Sequence, residues 1–308
     1  MNVEYVLKTY NIKILRTKEV AKGYSSKKSI IFDDKNKGYL IKKLEKKLYN
    51  NFPFALEVQN KLKNETPKIV KTKNNKLFVS DSNCIFYITE LFKTYKHDYT
   101  AYEIGEYLGY LHSIMEKIIF TDKVTFIKYE NNLNIINNLL QKKQNERVIG
   151  ILKYKKNILK KLRVDDIDFS KLKLQVIHGD FYIDNLIYTS SGLKIVDFDQ
   201  CCTFYREYEM LRGFFISLYN STKTKSENLG ELINYIKGYK KNICNIDGIN
   251  AYKLYLYIQA NSLSGIIGKT NDMNFAEKKY NILTFLVENN KEIVEIINEH
   301  WHCDYIFV

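Results

Sequence analysis

Two short segments constrain this chain more than anything else in it. His178-Gly-Asp-Phe-Tyr-Ile-Asp-Asn185 follows the apolar run Val176-Ile177, and Ile195-Val-Asp197-Phe-Asp199 comes shortly after. An apolar β-type run that gives way to a loop holds Asp180 on an anchored backbone, where its carboxylate can meet a solvent-borne substrate. In that position it is placed to accept a proton from a hydroxyl, a role typically worth about 10²–10⁴-fold in rate. Asn185 follows in the same loop. Its neutral amide oxygen suits a metal contact where another carboxylate would add repulsion. Asp197 ends the apolar stretch Leu193–Val196, and a buried charge there demands a partner. Magnesium, which takes few protein carboxylates and completes its shell with phosphate oxygens, is a fitting one. Asp199 falls on the same side as Asp197 by the strand period and is a candidate to bind metal or to orient its neighbour. In this order the residues match what phosphoryl transfer from a magnesium nucleotide requires.

Three roles are open to His178: general base, metal ligand, or structural brace. No His-x-His or Glu-x-x-His ligand spacing surrounds it, so it reads as a brace between its own loop and the Asp197 segment.

A chain of 308 residues is long enough for one large domain or two lobes with a real core. The formal net charge of +13 raises a nucleic-acid reading. Against it, the basic residues are scattered, and the abundance of Lys, Asn, Ile, Tyr and Phe follows an A/T-rich codon bias. The expectation is a solvated, Lys-rich surface and no nucleic-acid partner. The five cysteines are odd in number and show no framework spacing, which points to reduced thiols in the cytoplasm. No apolar signal core opens the sequence and no apolar run is long enough for a membrane span.

Residues up to about 92 read as strands with one or two helices. Ser29–Phe32 and Tyr39–Leu44 flank the turn residues Asp33–Gly38, and a helix is expected from Pro53 to about Lys63, with Phe54, Val58 and Leu62 on one face. Lys76–Val79 and Cys84–Glu90 read as a second strand pair joined at Ser80–Asn83. After residue 98 the pattern is helical, and Tyr102, Gly105, Leu108, Gly109, Leu111 and His112 outline a tightly packed face. Leu133–Leu162 reads as one or two helices. Leu186–Tyr188 and Leu193–Val196 flank a turn at Thr189–Gly192. From about Arg206 the chain is helical again, with breaks near Gly248 and Asn271.

The motif His-Gly-Asp-x-x-x-x-Asn followed by Asp-x-Asp resembles the aminoglycoside phosphotransferase and choline kinase-like superfamily, over nearly the whole chain. Within it, the layout is similar to the spore-coat protein S type of kinase-like proteins. The resemblance implies an α+β, two-lobed protein kinase-like fold. A β-rich nucleotide-binding lobe would occupy residues 1–92, and a mostly helical lobe with the catalytic loop and substrate site would occupy 93–308. It implies ATP and Mg2+ as cofactors, Asp180 as base, and Asn185, Asp197 and Asp199 as metal residues. Lys42, in Tyr39-Leu-Ile-Lys42, matches the strand lysine that contacts the α and β phosphates. Lys43, facing the opposite side, is the fallback. The partner of that lysine belongs on the following helix, with Glu57 first and Gln59 and Glu65 behind it. Glu90 and Leu91 fall at the hinge between lobes, where backbone groups bind the adenine edge. No Gly-x-Gly-x-x-Gly is present. Gly23-Tyr-Ser-Ser26 resembles a shorter loop in which Ser25, Ser26 and backbone N–H groups cover the phosphates, and a plain surface turn stays open beside that reading.

Protein kinases carry Asp-Phe-Gly, a long activation segment and Ala-Pro-Glu. Here Asp199 replaces the glycine, Tyr182 stands where a protein kinase has its catalytic-loop lysine, and helix-forming sequence begins at Arg206. These points favour a small hydroxylated substrate. Glu209 and Arg212 read as a structural helix pair. Glu288, Glu292, Glu295 and Glu299 recur at helical spacing and read as a solvated face. His300-Trp-His302-Cys303 supplies too few ligands for a metal and reads as a packed tail. The rival from another class is a kinase-like structural or scaffold protein of the spore coat with little catalysis, whose partners would be spore-coat proteins. A protein-kinase activity is the third reading.

Overall fold

A computed structural model of the chain describes residues 3–10, 12–19, 26–46, 52–119, 132–267 and 272–301. It has the expected α+β layout, with a sheet-rich N-terminal part and a helical C-terminal part. The chain divides into two compact units. The first takes the described residues up to Asp98, together with His178–Asp180 and Asp184–Cys202. The second takes Tyr99–Ile177, Phe181–Ile183 and the chain from Thr203 on. The segments that carry Asp180, Asn185, Asp197 and Asp199 thus belong to the first unit.

The first unit is built on a five-stranded sheet in the order β1-β2-β3-β5-β4, antiparallel throughout. The strands are β1 (Ile14–Glu19), β2 (Ser26–Asp33), β3 (Gly38–Glu45), β4 (Val79–Ser80) and β5 (Cys84–Glu90). Alternation sorts their side chains onto two faces. Ile31, Tyr39, Ile41, Phe86 and Ile88 form one cluster with Val6, Leu7 and Tyr10 of helix α1 (Val3–Tyr10). Leu44, Ile85 and Tyr87 form another with Phe52 and Leu56 of helix α2 (Phe52–Lys61) and with Ile69. The hairpin of β7 (Leu186–Thr189) and β8 (Gly192–Ile195) is tied to this unit by the Ile195 N–H, which donates to the Glu65 carbonyl at 2.9 Å.

Two readings change here. Neither α1 nor β1 is signalled in the sequence analysis. The strand expected at Lys76–Val79 shrinks to Val79–Ser80, because Thr72 and Lys76 close a turn instead. The Thr72 N–H donates to the Lys76 carbonyl at 2.9 Å, and the Lys76 N–H donates to the Thr72 hydroxyl at 3.0 Å.

The second unit is helical apart from the short pair β6 (Leu174–Ile177) and β9 (Cys202–Tyr205). Its helices are α3 (Ala101–Met115), α4 (Leu133–Leu140), α5 (Glu146–Leu159), α6 (Arg206–Ser217), α7 (Lys225–Lys240), α8 (Gly248–Asn261), α9 (Met273–Glu288) and α10 (Asn290–Trp301). Helix α3 starts at a capping box, Thr100 with Glu103, as does α7, Thr224 with Glu227. These two helices touch backbone to backbone. A Cβ on Gly105 would lie 2.0 Å from the Tyr235 carbonyl oxygen, and one on Gly238 would lie 2.1 Å from that of Tyr102. The glycine-marked face read from the sequence is this contact. Behind it His112, fully buried, meets the Tyr239 hydroxyl at 2.7 Å and Glu209 at 3.0 Å. Glu209 and Arg212 therefore both reach beyond their own helix, since Arg212 donates to the Phe181 carbonyl at 2.9 Å. Among the described residues, no helix is long and apolar enough to cross a membrane.

Candidate active site

The sheet delivers two lysines to one point. Lys42 on β3 lies opposite Tyr87 on β5 and Lys28 on β2, so all three side chains share the α2 face. The Lys42 ammonium, buried, sits 2.5 Å from Asp197 Oδ1 and 3.1 Å from Asp199 Oδ1. Lys28 reaches the other oxygen of Asp197 at 2.8 Å. The Tyr87 hydroxyl donates to Asp199 at 3.2 Å. Lys43 faces away, with its ammonium over the Phe86 ring. Lys28 is the residue that sequence reasoning missed. Its strand carries Lys-Lys-Ser in an otherwise ordinary β pattern, and only its cross-strand position against Lys42 marks it.

The electrostatics follow from this packing. Burial works to raise the Asp197 pKa, but Lys42 and Lys28 outweigh it and hold the carboxyl well below the usual range. Burial dominates at Asp199 and pushes it up to about 6, against the pull of Lys42 and with the help of the neighbouring Asp197 charge. At Lys42 burial acts downward and is overcome by Tyr87, Asp199 and Asp197, so the ammonium is held well above the ordinary lysine value.

The two aspartates converge by a route other than strand alternation. Strand β8 ends at Ile195, Asp197 takes a left-handed conformation with φ of 70°, and Phe198–Gln200 form a 3-10 turn. A non-glycine residue in that region is uncommon, and Asp is one of the few types that tolerates it.

The loop after β6 is braced against this turn. His178 Nε2 donates to the Val196 carbonyl at 3.0 Å, and Nδ1 accepts the Asp180 N–H at 3.2 Å. These partners fix the tautomer with the proton on Nε2. The ring also packs edge-on against Phe198, with centroids 4.5 Å apart. Gly179, at φ of 80°, passes so near the turn that a Cβ would lie 2.0 Å from the Gln200 carbonyl oxygen. The Asn185 side-chain NH2 donates to the Asp180 carbonyl at 2.8 Å and lies 3.4 Å from its carboxylate. The Val196 N–H donates to the Asn185 carbonyl at 2.9 Å, which sets Asn185 beside the residue preceding Asp197.

Other predicted residues are placed differently. Glu57 is exposed on α2 and forms no ion pair among the described residues, so the expected Lys42–Glu57 pair is replaced by Lys42 with Asp197 and Asp199. The reason is helix phase. Gln59, two residues on, is buried and donates to the Pro67 carbonyl at 2.9 Å, while Glu65 pairs with Lys194 at 3.3 Å. At the end of β5 the Glu90 N–H is spent on the Lys68 carbonyl and the Leu91 N–H on that of Gly38. The Glu90 carboxylate meets Lys37 at 2.7 Å. Of the stretch expected to cover the phosphates, Gly23–Ser25 lies outside the described residues. Ser26 opens β2 and its side chain is also outside them. The side chains of His300–Cys303 are likewise outside the described residues. Glu288, Glu295 and Glu299 are exposed and Glu292 pairs with Lys225, the solvated face expected.

Each unit has a hollow of its own. In the first, a cavity of about 200 Å³ is lined by Lys28, Lys42 and Asp197 and by the apolar Leu40, Leu91 and Phe92, among others. In the second, an open hollow of about 490 Å³ is lined by Ser217, Tyr219, Asn220, Lys223, Glu277 and Lys278, among others. Its Ser217 hydroxyl accepts the N–H of Ile183 at 3.0 Å.

No protein-family model matches the sequence, and no curated protein matches it. Solved structures do match by fold. A spectinomycin phosphotransferase solved with ADP and spectinomycin superposes with a TM-score of 0.62 at 13% identity, covering 97% of this chain and 97% of that one. An amicoumacin kinase solved with AMP-PNP, Ca2+ and Ami gives 0.61 at 12%, covering 96% and 94%. A choline kinase from Cryptosporidium parvum gives 0.59 at 13%, covering 97% and 94%. Likeness at these identities carries the fold.

Proposed function

We propose, from the protein kinase-like fold it shares with aminoglycoside phosphotransferases and choline kinases, that this chain is a small-molecule kinase. It would transfer the γ-phosphate of ATP, used with Mg2+, to an alcohol group of an aminoglycoside-, choline- or sugar-like acceptor. The observation that carries this reading is the convergence of Lys42, Asp197 and Asp199, of which Lys42 and Asp197 line a cavity together with Leu40, Leu91 and Phe92. A nucleotide needs that pairing of a polar end for phosphates with an apolar slot for a base.

The donor set fits a magnesium nucleotide. Asp197 and Asp199 are carboxylates now satisfied by lysines, and Asn185 donates only through its NH2, which leaves its amide oxygen for a metal. Asn185, Asp197 and Asp199 are assigned to the metal, Lys42 to the phosphates and Asp180 to the acceptor hydroxyl as general base. The bound ion would neutralise charge on the phosphates. Ser25 and Ser26 keep the role of covering them. At the adenine edge the carbonyl of Glu90 and the N–H of Phe92 are the groups assigned, because the N–H groups of Glu90 and Leu91 are already spent. Strand β9 runs directly into α6, with no room for a peptide-docking segment, and this supports a small acceptor over a protein one.

The test is single-turnover phosphate transfer across a panel of hydroxylated metabolites and aminoglycosides. Asp180→Asn is expected to abolish transfer while Mg·ATP still binds. Unchanged transfer in that variant would sink the assignment. A second reading, a spore-coat scaffold in place of a cytoplasmic enzyme, is favoured by one observation: Asp197 is fully ion-paired within the chain, so the site holds together without a nucleotide. Thermal shift separates the two. A ligand at about 100 times its Kd adds roughly 2.7 kcal/mol, and no stabilisation by millimolar Mg·ATP would favour the scaffold.

A further inference from the structure

Lys28 and Lys42 stand directly opposite each other on β2 and β3. Like charges facing across a strand pair repel, so the arrangement needs an anion between them. Asp197 is that anion, with one oxygen to each ammonium, 2.8 Å and 2.5 Å away. The two lysines are not equivalent. Lys42 is 5% exposed and has a second carboxylate in Asp199 at 3.1 Å. Lys28 is 23% exposed, lines the same cavity, and has Asp197 as its one ion-pair partner among the described residues.

This asymmetry has a consequence once Asp197 turns an oxygen toward a metal. Lys42 retains Asp199 through Oδ1, the oxygen that also accepts from Tyr87, which leaves the other oxygen of Asp199 for the metal. Lys28 is left with an ammonium at the cavity wall and no carboxylate, and a half-buried cation then gains most from another anion. We propose that Lys28 is a second phosphate-binding lysine, handed from Asp197 to the phosphate oxygens of the nucleotide. The inference rests on the nucleotide reading of the site. It also answers the missing glycine-rich loop. A charge carried on a strand paired from Ser26 to Phe32 is held by a rigid element, where a loop of backbone N–H groups would otherwise cover the phosphates.

Calorimetric titration of the whole chain with Mg·ATP and with adenosine tests it in wild type, Lys28→Met and Lys28→Arg. Lys28→Met is expected to weaken Mg·ATP by about tenfold or more, the scale of one charge-assisted hydrogen bond, and to leave adenosine unchanged. Lys28→Arg should recover most of the loss. Equal losses for both ligands, or none for Mg·ATP, overturn the proposal and leave Lys28 as a counter-ion of Asp197 only. If wild type binds neither ligand, the nucleotide reading falls with it, an outcome distinct from a selective failure of Lys28. A second measurement needs no variant: amine acylation of wild type read by mass spectrometry. Mg·ATP is expected to protect Lys28 where adenosine does not, and equal labelling under both overturns the proposal even if Lys28→Met does not fold.

Discussion

The imidazole of His178 is hydrogen-bonded to the carbonyl of Val196 at 3.0 Å, one residue before Asp197. The histidine of the motif thus holds the two halves of the site together. Replacing it with Ala removes the partner of the part-buried Val196 carbonyl and of the Asp180 N–H, at roughly 1–3 kcal/mol each at most. His178→Ala is expected to lower the urea midpoint and to slow turnover, with the pH profile of the remaining activity unchanged in shape. A profile that loses a limb would mean that His178 titrates in catalysis.

Glu57 is exposed and makes no ion pair among the described residues, so Glu57→Ala should change stability by less than about 0.5 kcal/mol. The affinity for Mg·ATP should also stay at the wild-type value. Asp199→Ala, which takes a carboxylate from the buried Lys42, should weaken Mg·ATP binding clearly. Titration of both variants checks the replacement of Glu57 by Asp199 as the lysine's partner.

Helices α3 and α7 meet with no side chain between their backbones at Gly105 and Gly238. A methyl group at either position must push the helices apart, and overpacking of that kind costs about 1–3 kcal/mol or more. Gly238→Ala should lower the melting temperature by several degrees, while Gly230→Ala on the same helix, where a Cβ meets nothing, should leave it unchanged or raised. Comparison of the two in one calorimetric series is the check.

Lys155 on α5 is buried, and its ammonium nitrogen lies 2.7 Å from the Gln259 carbonyl. Burial pulls its pKa down to about 7 from 10.5. Between these values the unfolded chain holds a proton that the folded chain has shed, so stability rises with pH across the window. Below it both states hold the proton and the cost of the buried charge stays in full. Lys155→Met should remove this rise, seen as a flatter difference between urea midpoints at about pH 7 and pH 9 than wild type gives.

What could be read from the sequence was local. The loop from His178 to Asn185 and the Asp197 turn are contiguous and their types are restrictive, so candidate residues could be named without coordinates. Lys42 came from the family resemblance, with alternation serving only to set it apart from Lys43, and the α3 face came from its glycines. Four things escaped for physical reasons. Lys28 matters through a partner far along the chain, in a turn whose approach no local pattern encodes. Glu57 failed on helix phase, since Ala55, Leu56, Val58 and Gln59 take the buried positions and leave residue 57 outside. The meeting of Asp197 and Asp199 was expected from a strand period and is made by a left-handed residue and a 3-10 turn. Helix α1 and strand β1 went unread because α1 packs on residues from β2, β3 and β5 while β1 pairs along β2, and neither segment advertises its partner by itself.

Only Gln200 and Cys201 separate Asp199 from β9, and β9 passes straight into α6. A kinase that is switched by phosphorylation needs slack chain at this place, a loop that can be disordered when idle and folded down when modified. Here that length of chain is committed to a strand and a helix. Control of the reaction would then fall to supply: how much nucleotide and how much acceptor the surroundings provide, with no covalent mark on this stretch to turn the site on or off.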